Sequence, residues 1–523
     1  MRGTRFAGMM LAADSRQLQG HFANYAKNTR LWDGRLRAYK KPRKALDCKP
    51  KELAYWDCLE CIEPCTVQHG LCTANDRVTA RNGSLFHADG TPVGMPRPTI
   101  APTVSLSETG EDWVYFRYSM VNEHGEESPK SDPSPRFRAG IASWVTIKGQ
   151  APMRVYAYPS GQLDGSIAED DFIDWNKHEM LVGEFDSNTA VFPFDFSKWT
   201  VTGDGYDTDD WCTPEACCIV RNEDMHYATY SGKTVWVSER NLVHAYPRRQ
   251  MVQLDNEIKA LLPYYDVFFA LTDGEPELIR LPQIQGGAYD GMVEVQPMKF
   301  ANQHPLEGPA VKTDFGVMYA SRMGIVALTP TVPTGLSLVT RQVLNEDTWQ
   351  KYKPTAAVYA NGVFYGWNDK VGFAFDMKEN NQGQYELQQF IELDGGAIAA
   401  LSGKDGVMYY GKEDVQAWDD GIGYMEADWH SKWFVEQGNR VLTAAKVVGE
   451  NIKGVIFELW YRTSCDGERL LYQKTIDCDK PFRLPKIRAI EYQIRIKLPE
   501  SDKEIAVHEF HVAPSIFDLT KEN

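Results

Sequence analysis

The chain has 523 residues, which at roughly 100 to 200 residues per domain is enough for about three domains and a large core. Lys and Arg number 56 against 72 Asp and Glu, a formal charge of −16 spread along the chain, which argues against a basic nucleic-acid clamp. Hydrophobic residues make up 43% and aromatics 12%, with 41 Gly and 28 Pro, so the chain reads as folded, turn-rich and inclined to β structure rather than disordered.

The start, MRGTRFAGMMLAAD, places basic residues before an apolar stretch of only eight residues that runs into Asp14 and Arg16, which is not the pattern expected of a cleaved leader. No apolar run approaches the ~18 to 20 residues that cross a bilayer, so no membrane-spanning segment is expected. Cysteines then cluster at Cys48, Cys58, Cys61, Cys65 and Cys72, with His69 among them. Thiolates and an imidazole in this CxxCxxxC run could converge on a tetrahedral Zn²⁺, although the spacing departs from paired CxxC knuckles. Disulfides formed in an oxidising medium and unreacted thiols are the alternatives. Cys58, Cys61, Cys65 and Cys72 are therefore candidate metal or disulfide residues, and no other cofactor is expected.

From 97 to 200 the pattern changes. MPRPTIAPTVSL carries the last three of the four prolines between Pro92 and Pro102, a linker-like composition. Trp113, Tyr115 and Tyr118 mark a strand, Glu123 to Gly125 a turn, and Ser128 to Pro135 a proline-rich exit. With VTIKG, MRVYAYPSG and MLVGEFDSN following, the segment reads as an inserted β-sandwich of fibronectin type III character. GDGYDTDDW (203–211) then brings Asp204, Asp207, Asp209 and Asp210 into one loop. It lacks the full calcium-loop pattern and reads as a solvated linker.

From about 220 a unit recurs in which a turn glycine precedes alternating apolar and aromatic residues: SGKTVWVS, TDGEPELI, FGVMYAS, NGVFYGW and DGVMYYG. Gly232, Gly274, Gly316, Gly362 and Gly406 stand 42, 42, 46 and 44 residues apart. A period in the low forties with short strands is what four-stranded β-propeller blades produce, because one blade cannot bury both its faces alone. Val363, Tyr365, Val407 and Tyr409 would share one face of their strands, with Phe364 and Met408 on the other. Unrelated hairpins in a sandwich are the competing account. After residue 425 strong alternation resumes in FELWYRTSCDGERLLYQKTI, RLPKIRAIEYQIRIKL and KEIAVHEFHVAP, read as a C-terminal sandwich, with Cys465 and Cys478 flanking a hairpin.

The expected architecture is thus all-β: residues 1–96 as an N-terminal segment with the first propeller strands and the cysteine-rich loop, 97–200 as the insertion, 201–424 as blades, and 425–523 as a C-terminal β domain or the completion of the propeller. No GxSxG, HExxH or phosphate-loop motif occurs. Asp419, Asp420 and Glu239 are candidate paired carboxylates of a glycoside hydrolase, not separable from turn acids by sequence. His508 and His511 fall on opposite faces of a strand. Trp56, Trp113, Trp175, Trp199 and Trp211 could stack on sugars, but such residues in β-rich chains are more often core. No active site is read here.

Several segments, in order and spanning most of the chain, resemble the tail nozzle (tail hub) proteins of short-tailed bacteriophages. RFAGMMLAADSRQLQGHFANYAKNTRLWDGRLRAYKKPRKAL (5–46) resembles the family's opening, and WVYFRYSMVNEHGEESPKSDPSP its fibronectin-like element. VWVSERNLVHAYP (235–247), FALTDGEPELI and GVMYASRMGIVAL (316–328) are similar to its later strands, and RLPKIRAIEYQIRIKL to its closing one. The cysteine cluster at 48–72 has no counterpart in that pattern. The resemblance implies a structural virion protein, not an enzyme. It would form a homo-hexameric tube in the tail, assembled in the host cytoplasm below the portal and adaptor rings. That tube would conduct genomic DNA and present surfaces for fibres and a distal plug or needle. An acidic lumen suits passage, since carboxylates repel phosphate whereas Lys and Arg bind it. The runner-up is a glycan-binding or glycan-cleaving propeller acting as a receptor-binding or depolymerase component; a cellular propeller scaffold stands third.

Overall fold

Alternation of apolar and polar residues at period two, and short uniformly apolar runs, yield strands as the main regular element among the described residues. A computed structural model describes residues 2–46, 78–160, 179–202, 208–281, 293–298, 305–330, 336–379, 385–402, 408–435, 441–462, 467–486 and 490–520, apart from a few positions within these ranges. The fold is mostly β, built from many small antiparallel sheets. Glu346–Tyr352 is a short α-helix, capped by Asn345, whose side chain accepts from the Thr348 N–H at 2.8 Å. Among the described residues no helix is long and apolar enough to cross a membrane. The chain divides into two compact units, one of residues 1–69, 271–276 and 298–523, the other of 70–270 and 277–297.

In the first unit, Ala310–Lys312, Val317–Ala320, Ile325–Leu328 and Leu336–Leu338 pair in sequence order as a four-stranded meander. Ala356–Ala360, Val363–Trp367, Gly372–Glu379 and Tyr385–Leu393 form the next. Val363–Trp367, Val317–Ala320 and Ile325–Leu328 are buried at every position, so both faces of these inner strands are covered. Phe364, Phe373, Phe375 and Phe390 stack beside them, with the Phe364 and Phe375 rings 4.9 Å apart. A third meander, Ala399–Ser402, Met408–Gly411 and Val415–Trp418, takes its fourth strand from the beginning of the chain. Arg43–Leu46 pairs antiparallel with it, Ala417 opposite Arg43 and Val415 opposite Leu46. Arg43 Nε and Nη2 both reach Asp420 Oδ2, at 3.0 and 2.5 Å, and pin the junction.

The chain start also enters the C-terminal body. Tyr385–Leu393 continues into Ala23–Lys27, then Ala427–Ser431, Glu491–Leu498, Ile456–Arg462 and Arg469–Thr475, so that a meander and a C-terminal sheet become one ten-stranded sheet. Opposite lies a six-stranded sheet in which Thr29–Arg30, Leu36–Ala38 and Arg2–Gly3 join Ala506–Ala513, Ala444–Glu450 and Phe482–Arg483. Trp429 of the first sheet meets Phe510 of the second at 5.8 Å, and Phe6 wedges against both, at 4.9 and 5.9 Å. These rings sit in one apolar core with Val447, Phe457 and Ile494.

The second unit holds a two-sheet sandwich and two further meanders. Phe137–Ala139, Asp112–Met120, Met153–Ser160, Met180–Phe185 and Thr200–Val201 form one sheet, and Thr189–Pro193, Trp144–Lys148 and Thr103–Leu106 the other. Phe116, Ile147, Val155, Phe192 and Trp199 fill the space between them. Val220–Arg221, Tyr227–Ser231, Thr234–Val237 and Met251–Gln253 make the first of this unit's meanders; Ile258–Tyr264, Val267–Thr272, Glu277–Arg280 and Glu294–Pro297 make the second. Val235 and Phe268 belong to an apolar cluster shared by the two. Val78–Arg81 and Ser84–His87 form a separate hairpin.

Candidate functional site

Cys58, Cys61, Cys65 and Cys72 lie outside the described residues, as do Cys48, His69, Cys465, Asp204, Asp207, Trp56 and Trp175. Of the aspartate loop, Asp210 caps the backbone, accepting from the Arg249 N–H at 3.2 Å. The candidate carboxylates are likewise engaged by structural partners. Glu239 is buried and salt-bridged to Arg249 Nη2 at 2.6 Å; burial pushes its carboxyl above the ordinary range. Asp419 accepts from the Lys40 N–H at 2.6 Å, and Asp420 is held by Arg43. His508 pairs with Glu450 at 3.3 Å and His511 with Glu509 at 2.8 Å. Trp113 carries the Arg138 guanidinium 4.7 Å above its ring, while Trp199 packs edge-on to Phe194 in the sandwich core.

Titratable groups converge instead where three parts of the second unit meet. Glu126, in the turn that ends the Asp112–Met120 strand, is 5% exposed. Its Oε2 accepts from the Gly94 N–H at 2.7 Å and from Asn122 Nδ2 at 2.8 Å. Oε1 lies 3.1 Å from His87 Nε2 and 3.8 Å from His244 Nδ1. Burial opposes ionisation of Glu126, yet these donors together hold its carboxyl below the usual value. Burial also lowers the His244 pKa against the pull of Glu126 and Glu127. The His87 ring stacks on His124 at 3.8 Å, and His124 Nε2 faces Asp89 Oδ2 at 3.2 Å. Asp89, Glu123 and His124 bring ligating atoms together. All three are exposed, and Asp89 is already committed to the Thr91 N–H and hydroxyl at 2.8 and 2.6 Å, so the group closes a turn.

Two clefts flank this cluster, and Glu127, Trp211 and His244 line both. The larger, about 430 Å³, is walled by Pro92, Met95, Pro129, Trp211 and Tyr246, with Arg248 among its lining side chains. The smaller, about 290 Å³, is lined by Lys130, Arg154, Tyr156 and Glu179. Its charges neutralise one another. Lys130 Nζ meets Glu179 Oε2 at 2.5 Å, Tyr158 donates to the same oxygen at 2.7 Å, and Arg154 Nη1 meets Glu127 at 2.9 Å. Cys212, on the wall of the larger cleft, has its thiol pKa raised by burial, which makes it a poor nucleophile.

His87, Glu126 and His244 come from a hairpin, a sandwich turn and a loop far apart in the chain. No spacing rule joins such residues, and the only sequence signal was a histidine and three glutamates crowded into NEHGEE (122–127).

No protein-family model and no curated protein matches the chain. Among solved structures it is similar to a streptogramin B lyase, at 10% identity over 61% of this chain and 97% of that one, with a TM-score of 0.26. It is also similar to an AfRom2 CNH domain, at 8% identity over 60% and 98%, TM-score 0.24, and to a glycoside hydrolase, at 8% over 78% and 96%, TM-score 0.16. Likenesses this distant assign neither a fold family nor an activity.

Proposed function

We propose that this chain is a structural subunit of the tail of a short-tailed bacteriophage. In this reading it is a nozzle or hub protein whose copies, most simply six, close into a ring through which genomic DNA leaves the capsid. The observation that carries this reading is the set of glycine-led hairpins: those at Gly232, Gly274 and Gly316 lie in four-stranded antiparallel sheets, that at Gly362 lies in a four-stranded meander continued into the ten-stranded sheet, and Gly406 falls outside the described residues. Val267–Thr272, Val317–Ala320, Ile325–Leu328 and Val363–Trp367 are buried on both faces, and the chain's own start supplies the last strand of the last sheet. Such sheets suit the blades of a β-propeller, where each covers its neighbour. The two-sheet insertion at 97–200 suits a fibronectin type III-like module, and the paired C-terminal sheets suit a second sandwich.

The ordered resemblance of segments from 5–46 to 483–498 joins this architecture to a nozzle. A charge of −16 favours a lumen along which phosphate slides. Ring closure requires a heterologous interface, one edge of each copy matching a different edge of the next. An adaptor ring would sit above, with fibres and a plug or needle attached outside and below.

Native mass spectrometry and negative-stain imaging of the purified protein, alone and with the adaptor ring, test the proposal. Sixfold rings are expected. A monomer under every condition would sink it, and polysaccharide turnover abolished by replacing a carboxylate would establish a glycan-cleaving protein in its place.

A further inference from the structure

We propose that the larger cleft of the second unit binds a carboxylate-bearing pyranose, a uronic acid residue or its equivalent in a surface polysaccharide, with Arg248 taking the carboxylate. Its volume of about 430 Å³ falls within the range of small-ligand sites. The Trp211 indole and the rings of Pro92 and Pro129 give rigid apolar surfaces that match the flat C–H faces of a pyranose, a contact made at low entropic cost because these side chains lose little freedom.

The polar groups on the same wall are held in place before any ligand arrives. Glu127 is fixed by Ser119 and Tyr156 hydroxyls and by Arg154 Nη1 at 2.9 Å. His244 is set between Glu126 and the edge of Trp211, whose ring centroid is 5.3 Å away. Carboxylate and imidazole at fixed positions suit the hydroxyls of a sugar. The Tyr246 ring is buried behind this wall in an apolar cluster with Leu85, Ile219 and Tyr227, and backs the cleft with packed side chains.

Charge selects an acidic sugar over a neutral one. Arg97 is already tied to Asp132 at 3.0 Å and to the Lys130 carbonyl at 2.8 Å. Arg248 is exposed and makes no ion pair with any described carboxylate, in a chain with 72 acidic side chains. The neighbouring smaller cleft, whose Lys130 and Arg154 are neutralised internally, offers no comparable open cation. The proposal does not depend on ring formation or on passage of DNA.

Three probes separate the contributions in saturation-transfer NMR and calorimetry on the full chain: methyl glucuronide, methyl glucoside and acetate. The glucuronide is expected to bind in the millimolar range, with the glucoside weaker by roughly tenfold, the scale of one charge-assisted hydrogen bond, and acetate weaker by a similar factor because it lacks the ring that the apolar wall and polar groups contact. Arg248→Ala should reduce glucuronide affinity by a similar factor with an unchanged circular dichroism spectrum, and Arg248→Lys should recover part of it. Met95→Trp, which fills the cleft without altering charge, should abolish binding. Failure of the glucuronide to bind would overturn the proposal. So would equal affinity for the glucoside, equal affinity for acetate, or indifference to Arg248→Ala and Met95→Trp.

Discussion

Ser131 and Tyr118 are joined by two hydrogen bonds. The Ser131 N–H donates to the Tyr118 carbonyl at 2.8 Å, and the Tyr118 N–H donates to Ser131 Oγ at 3.1 Å. Ser128 repeats the pattern with Met120, and Ser134 with Phe116. Each serine hydroxyl in turn donates a hydrogen bond to the next carbonyl, of Pro129, Asp132 or Pro135. Three residues of this strap answer two of the strand, so its intervening residues must arch away. Pro129 and Pro133 fill the arches without stranding a donor, because proline has no N–H.

Ser131→Ala removes the acceptor of a buried amide and should cost about 1–3 kcal/mol locally. Hydrogen exchange at the Tyr118 amide should then quicken by roughly tenfold or more, read by mass spectrometry on fragments covering 112–120. Unchanged exchange would mean that the strap does not hold this strand.

The repeat glycines are not equivalent. Gly362 has φ 79°, and an added Cβ would meet open space. Gly316 has φ 154°, and its Cβ would lie 1.9 Å from the Leu328 carbonyl oxygen. Gly362→Ala should therefore cost only the backbone penalty, about 1–2 kcal/mol, whereas Gly316→Ala adds a clash with main chain that cannot rotate away, for a total of about 2–5 kcal/mol. Thermal denaturation followed by near-ultraviolet circular dichroism distinguishes the two, and equal losses would contradict the close approach at Leu328.

These glycines also mark how far the sequence could be read. A turn residue and the alternation after it are local, so the hairpins at Gly232, Gly274, Gly316 and Gly362 were legible from one segment each. The edge of Val415–Trp418 was not, because its partner, Arg43–Leu46, is supplied by the opposite end of the chain. The parallel step from Glu392 to Lys27 that fuses two sheets is equally non-local. Composition makes Ser128 to Pro135 a proline-rich exit, whereas in the fold its serines are zipped onto a strand, since composition reports proline but not what each serine faces. For the same reason His87, Glu126 and His244 carried no signal as a group.

Cysteine reactivity tests the description of the cleft wall. Cys212 is half-buried with its sulfur 3.2 Å from the Tyr246 carbonyl oxygen, and burial raises its thiol pKa; Cys478 is exposed. Alkylation depends on thiolate fraction and access. With iodoacetamide at mildly alkaline pH, Cys478 should be modified roughly tenfold faster than Cys212, as followed by peptide mass spectrometry. Comparable rates would show the Cys212 wall to be open.

Asp376 gives the clearest dependence on pH. It lies on the Gly372–Glu379 strand where the register slips opposite Tyr385–Leu393, and its buried Oδ1 has no hydrogen-bond partner among the described residues. Burial pushes its carboxyl up to about 6, with its own N–H, the Gln389 N–H and Arg5 compensating only in part. The folded state thus binds a proton more tightly than the unfolded chain, whose Asp titrates near 3.8. The resulting stabilisation is complete below the unfolded value, declines as pH rises, and is lost above about 6. At neutral pH the ionised, poorly partnered carboxylate therefore costs stability. The difference between these two values corresponds to about 3 kcal/mol at most. Asp376→Asn, which keeps the shape without the charge, should raise the denaturation midpoint at neutral pH and leave it nearly unchanged in acid. Melting curves for both proteins across this range should converge towards acid; parallel curves would show that Asp376 does not titrate in the folded state as described.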